Sequence, residues 1–120
     1  MRVIVAGTLQ FDGDICADII RDGREYILAS RAEIGCVAYN WSADPLEPGL
    51  MHVFEEWTSE AALGAHFRDA SYQAMRAHLG QYPMTGFAVQ LYRASEVEPV
   101  YTDDGQPRDR IFGVWIGPEA

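Results

Sequence analysis

The chain is short of basic residues, of cysteines and of long apolar runs, and each shortage removes a class of function. Nine Lys plus Arg stand against eighteen Asp plus Glu, a formal net charge of −9, so a phosphate backbone or an anionic membrane surface meets repulsion over most of the protein. Neither nucleic acid nor a membrane is an expected partner. No stretch approaches the roughly 18 uninterrupted apolar residues of a membrane span. The opening "MRVIVAGTLQF" carries one basic residue and an apolar core too short for a secretory signal, and reads better as a strand. Cys16 and Cys36 have no metal or redox spacing. Both are expected to be reduced packing residues, which points to the cytoplasm.

Chemical motifs are scarce as well. "GTLQFDG" lacks the spacing of a dinucleotide or nucleoside triphosphate loop, and no nucleophile motif appears. The three histidines, His52, His66 and His78, form no pair at a spacing of three or four. In "HVFEEW" the odd spacing sends His52 and Glu55 to opposite faces of a strand, which spoils a facial triad. We therefore expect no metal.

What is present is a regular alternation of strand and helix signals. "RVIVAGTL" is β-branched and apolar, and "FDGD" after it supplies a turn and an Asp for an N-cap. From Asp14 to Arg31, Ile15, Cys16, Ile19, Ile20, Gly23, Tyr26, Ile27 and Ser30 share an arc of about 140° at helical spacing, with Leu28 outside it. "IGCVAYNW" and "LMHVFEEW" read as strands joined by the Pro- and Gly-containing turn "SADPLEPG". "TSEAALGAHF" opens a helix with Thr58 or Ser59 as N-cap, a break falls near "RDAS", and a second helical piece runs from about Ser71 to Leu79. "GFAVQLYR" alternates as a fourth strand.

The order β-α-β-β-α-β predicts an α+β, ferredoxin-like fold over residues 1–94, a four-stranded antiparallel sheet with two helices on one face. Both alternating sets on the strands hold apolar residues: Val37, Tyr39 and Trp41 against Ala38, Val53 and Trp57 against Phe54. Two helices cover only one face, so the other is expected to pack on a second copy, making a homodimer. Residues 95–120, with the apolar run "IFGVWI", are expected to form an arm packing on the body or on the partner subunit.

On the helix after Ser59, the residues Ala62, Leu63, His66, Phe67 and Ala70 share one arc of about 140°, so His66 faces the sheet. A buried imidazole needs a hydrogen-bond partner, and Glu55, Glu56, Tyr39 and Asn40 are near enough in the chain plan to supply one. Spacing alone leaves two readings, a core histidine that has found its partner or a base in a pocket. The second has chemical sense, because an imidazole titrates near pH 6.5 when unperturbed, within reach of neutrality. Tyr39, Trp41, Trp57, Phe67, Tyr72 and Phe87 come from four elements that converge on one space between helices and sheet, suited to a flat apolar ligand.

"EIGCVAYNW", a loop, and "HVFEEWTSEAALGAHF" together resemble the antibiotic biosynthesis monooxygenase family, in which a Gly-Cys and a later Tyr precede a strand ending Glu-x-Trp and an Ala-Leu-x-x-His helix. The matching positions are Gly35, Cys36, Tyr39, Glu55, Trp57, Ala62, Leu63 and His66. The resemblance implies a dimeric α+β barrel with a pocket between helices and sheet. Some relatives oxidise phenolic or quinol-like aromatic molecules with molecular oxygen and with neither metal nor flavin, while others isomerise small phosphorylated ketones or degrade heme. The heme-degrading branch uses an Asn on the first strand, which "VIVAGTLQF" lacks. The resulting expectation is a cofactor-independent monooxygenase with His66 as base, Glu55 orienting it, and Tyr39, Trp41, Trp57, Phe67 and Tyr72 holding the substrate. A proton-transfer isomerase of a small carbonyl compound and a non-catalytic small-molecule binding protein are the alternatives.

Overall fold

The computed structural model describes residues 1–119, so the last residue of the expected arm, Ala120, lies outside the described residues. Strand β1 (Arg2–Phe11) is followed by helices α1 (Cys16–Asp22) and α2 (Arg24–Arg31), then β2 (Cys36–Ala43) and β3 (Leu50–Trp57). Helices α3 (Glu60–Arg68) and α4 (Ala70–Leu79) lead into β4 (Met84–Ala94), and a short hairpin, β5 (Arg110–Ile111) with β6 (Val114–Trp115), closes the chain. The four long strands form one antiparallel sheet in the order β2-β3-β1-β4. This is the expected α+β, ferredoxin-like arrangement.

Alternation along the strands sets the core. Val3, Val5, Leu9 and Phe11 of β1 and Met51, Val53, Glu55 and Trp57 of β3 are buried, while the residues between them are less so. Helices α1, α2 and α4 close over one part of this face with Ile19, Ile27, Met75 and Leu79, and Leu63 of α3 packs with Val3, Val5 and Trp57 over another. Removal of each such aliphatic side chain from water contributes about 1.5 to 3 kcal/mol.

Three local expectations need correction. The single helix over 14–31 is broken at Gly23. With no side chain there, His78 of α4 packs against the backbone, where a Cβ would stand only 3.0 Å from its ring, and its Nε2 bonds to the Ile19 carbonyl at 2.8 Å. No aspartate caps α1; Ile15 holds the N-cap position without a side-chain bond. Val37 does not share the inward face of Tyr39 and Trp41. Cys36 pairs with Trp57 and Ala38 with Glu56, so Val37 is the extra residue of a bulge and faces outward, half exposed. The other cap holds: the Ser59 hydroxyl accepts from the Ala62 N–H at 3.1 Å, and the break near "RDAS" is Asp69, whose carboxylate caps α4 by accepting from the Ser71 N–H at 2.9 Å.

Two surfaces stay uncovered. Strand β4 has no buried residue, with Phe87 at 79% and Leu91 at 63% exposure on the helix side and Tyr92 on the other. In the arm, none of residues 95–119 is buried. Its hydrogen bonds run within itself, the Glu98 carboxylate accepting from Arg108 at 3.2 Å and from the Phe112 N–H at 2.8 Å.

Candidate active site

The cross-strand register brings the site together. Tyr39 lies opposite Glu55, which lies opposite Val5; two residues along, Trp41 lies opposite Val53 and Val53 opposite Gly7. Because side chains alternate, all of these project toward the helices. Helix α3, started by the Ser59 cap, lays His66 on top of that row, and α4 adds Tyr72 and Met75. Between the helices and the uncovered β4 is an open cleft of about 530 Å³, walled by Leu9, Val53, Phe87, Val89 and Leu91 among other apolar residues.

Of the seven candidate residues, Tyr39, Trp41, Glu55, His66, Phe67 and Tyr72 line this cleft. Trp57 does not line it. Its indole is fully buried and stacks behind His66, the ring centres 4.5 Å apart and the planes 31° from parallel, and its Nε1 donates to Glu55 Oε1 at 3.0 Å. His66 therefore sits in a box of rings, Trp57 behind it and Tyr39, Tyr72 and Phe67 around it at centre distances of 5.6, 5.3 and 6.1 Å.

The strongest polar contact of His66 is one that sequence reasoning missed. Its Nδ1 is 2.7 Å from Glu33 Oε2, whereas its Nε2 is 3.9 Å from Glu55 Oε1, too far for a hydrogen bond. Glu33 belongs to the turn between α2 and β2. It lies 33 residues before His66, and no periodicity links the two. The turn aims it inward because Gly35 adopts φ +87°, and a Cβ there would stand 2.5 Å from the Ala62 Cβ and 2.8 Å from the Thr58 hydroxyl. The one sequence signal was the neighbouring Gly-Cys, which marks a tight approach of this turn to α3. Ser71 adds a longer contact to the same Glu33 oxygen, at 3.5 Å.

An ionised carboxylate can only accept, so the Glu33 bond places a proton on Nδ1, and in the neutral imidazole the Nε2 lone pair then faces Glu55. Burial raises the Glu55 pKa, held back by the Trp57 hydrogen bond and the nearby His66. Burial likewise pushes the Tyr39 phenol up to about 12, so Tyr39 offers the site a neutral hydroxyl. Nε2 and Glu55 Oε1 are close enough for one hydroxyl oxygen to lie about 2.8 Å from both. The arrangement suits removal of a proton from a hydroxyl group held in a mostly apolar cleft.

The remaining histidines stand apart from this work. His52 bonds to Asp44 at 2.8 Å on the far side of the sheet, and His78 ties α4 to α1. Among the described residues no group of three His, Cys, Asp or Glu is arranged to hold a metal ion, and no helix is long and apolar enough to cross a membrane.

A ferredoxin-like sheet with an aromatic-walled cleft under its helices defines a class of small-molecule proteins, and comparison with known proteins makes the class specific. The family model for antibiotic biosynthesis monooxygenase matches residues 2–78, more than half of the chain, and the protein belongs to that family. A Deinococcus radiodurans protein assigned to the same family superimposes with a TM-score of 0.72 at 25% identity, over 83% of this chain and 99% of the other. Rv0793 from Mycobacterium tuberculosis shares the fold at TM-score 0.69 and 23% identity, over 82% of this chain and all of its own. Uncharacterized protein sll1783 of Synechocystis is 33% identical over 66 residues, 55% of this chain and 45% of that protein. The chain thus spans less than half the length of this relative.

Proposed function

We propose that the protein is a cofactor-independent monooxygenase that oxidises a phenolic or quinol-like aromatic molecule with molecular oxygen. The observation that carries this reading is His66, buried, fixed by Glu33 through Nδ1 and lining, with Glu55, a mostly apolar cleft. In this reading Nε2 takes the hydroxyl proton of the substrate, and the electron-rich anion reduces oxygen. The peroxide formed on a ring carbon collapses to a quinone carbonyl and water, so that one oxygen atom enters the product and the other leaves with two hydrogens. The chain contributes deprotonation, orientation between aromatic walls and exclusion of bulk water.

An oxygen electrode with a panel of quinols, anthrones and naphthols tests the reading. Uptake is expected with at least one, falling about a hundredfold to ten-thousandfold in His66→Ala. Product formed equally well without oxygen would make the protein an isomerase, and ligands recovered unchanged would make it a binding protein; either result sinks the monooxygenase assignment.

We further propose a homodimer. The sheet face away from the helices carries Ile4, Ala6, Phe54 and Tyr92 in adjacent register, an apolar row that isolated monomers rarely leave in water. The arm supports the same conclusion, because a lone hairpin is at best marginally stable and its Phe112, Val114, Trp115 and Ile116 are all more than half exposed. We assign the arm to the partner subunit. Sedimentation should give twice the chain mass, and a photo-crosslinker at Phe112 should join two chains; a crosslink confined to one chain would return the arm to its own body. Two free cysteines fit a reducing setting and support placement in the cytoplasm.

A further inference from the structure

The cleft is open on one side. Its wall there is β4, an edge strand whose Phe87, Val89 and Leu91 are 79%, 39% and 63% exposed. Phe67 and Leu91 also line a smaller groove of about 320 Å³ that continues between α3 and β4 to Arg93, beside the base of the arm. An apolar trough thus follows the helix side of β4. The arm carries a preformed shape that touches nothing of its own body. Ile111 pairs with Val114, which leaves Phe112 and Gly113 as a two-residue turn with φ of 47° and 81°. Such a turn favours Asn, Asp or Gly at its first position, and Phe112 is the only non-glycine among the described residues with positive φ. A bulky ring held in a left-handed conformation is a strain that clusters at functional contacts. The tip is also fixed in place: Glu98 accepts from the Phe112 N–H at 2.8 Å, the Trp115 Nε1 donates to the Pro118 carbonyl at 3.2 Å, and Arg110 lies 5.8 Å over the Trp115 ring. A rigid element that buries nothing is preorganised for binding.

We infer that each arm docks along the partner's trough, its hairpin tip closing the open side of the cleft with the ring of Phe112. The active site is then built from two chains, His66, Glu33 and Glu55 from one and the covering tip from the other. Charge favours this occupant. Residues 95–120 carry six Asp plus Glu against Arg108 and Arg110, while the trough is rimmed by Arg76 and Arg93, which make no ion pair among the described residues. Glu60, the acidic residue on the smaller groove, is already paired with the N-terminus at 3.5 Å. The arm does not fold back to serve its own cleft: the radius of gyration is 17.2 Å, against about 14 Å for a compact chain of this length. A two-fold axis lets both arms exchange in the same way, so neither trough is left open. Docking would exclude bulk water from the β4 side of the base, which one chain alone leaves exposed.

This rests on the homodimer proposed above, and the test separates the two claims. The photo-crosslinking residue benzoylphenylalanine replaces Phe87 in the full-length chain, a position exposed enough to accept it; Leu91 is the second position if that variant does not fold. Irradiation should give covalent dimers, and mass spectrometry should find Phe87 joined to residues 110–116 of the other chain. Dimers joined only elsewhere, or a bond from Phe87 to the arm of the same chain, would overturn the docking and leave the homodimer standing. Sedimentation at the mass of one chain would remove both. Phe112→Gly suits the left-handed turn, keeps the hairpin and deletes the ring. It should abolish the crosslink and raise the fluorescence of anilinonaphthalene sulfonate, a probe of exposed apolar surface, as the cleft opens. An unchanged crosslink together with unchanged fluorescence would show that Phe112 does not cover the site.

Discussion

Glu33 is the residue whose removal tests the site most directly. Glu33→Ala takes away the hydrogen-bond partner that Nδ1 has among the described residues, on an imidazole that is 1% exposed. A charge-assisted bond is worth about 1.5 to 3 kcal/mol, and a buried donor left unpaired costs about 1 to 3 kcal/mol. These are two descriptions of one loss and do not add. Glu33 itself is partly exposed, so water enters the gap and offsets part of the cost, which puts the net destabilisation at about 2 kcal/mol. For a domain of this size that lowers the melting temperature by roughly 6 to 10 °C. Glu33→Gln retains an acceptor oxygen and should lose less than about 1 kcal/mol. Urea denaturation measures both, with an unchanged m-value as the check that the unfolded state is not what moved. The nitrogen chemical shifts of His66 report the second consequence: wild type should show the proton on Nδ1, and Glu33→Ala a mixture of tautomers. A Glu33→Ala protein as stable as wild type within about 0.5 kcal/mol, with His66 in an unchanged tautomer, would refute the assignment of Glu33 as the group that holds His66.

Glu55 gives a pH dependence of defined sign. Its folded-state pKa is raised by burial above the ordinary 4.5, so the folded protein binds this proton more tightly than the unfolded chain. Its contribution to stability is full below that ordinary value and is lost as pH rises through the raised one. Glu55→Gln, which can still accept from Trp57, should therefore gain stability relative to wild type as pH climbs through that window; a constant difference from acid to neutral pH would contradict the burial argument. Ser59→Ala removes the α3 cap and should cost about 1 kcal/mol in thermal or urea unfolding, and no loss would mean that water replaces the cap. Gly35→Ala forces a side chain into a left-handed conformation against Ala62 and Thr58, costing about 1 to 2 kcal/mol for the backbone alone. It should also disturb the His66 signals, since the same turn carries Glu33; a stable variant with unchanged His66 signals would show that the turn does not set the site.

Much of the fold follows from short-range pattern. Period-two alternation in β1 and β3, the Ser59 cap and the apolar arc of α3 depend on residues two to four positions apart, and the chain states them directly. The same arc was sufficient to place His66 against the sheet. Local pattern was silent where distant segments meet. Gly23 looked like one more member of a helical arc until His78 of α4 packed into it, and the bulge at Val37 depends on how β2 registers against β3. Glu55 was the expected partner of His66 because the family resemblance favoured it among the four candidates that the nearby strand offers. The structure gives the bond to Glu33, because a glycine turn and the packing of α3 bring together residues that no repeat connects. Sequence by itself determined which face His66 occupies. Tertiary structure decided which carboxylate holds it, because burial is written in local periodicity and pairing across elements is set by register and turn geometry.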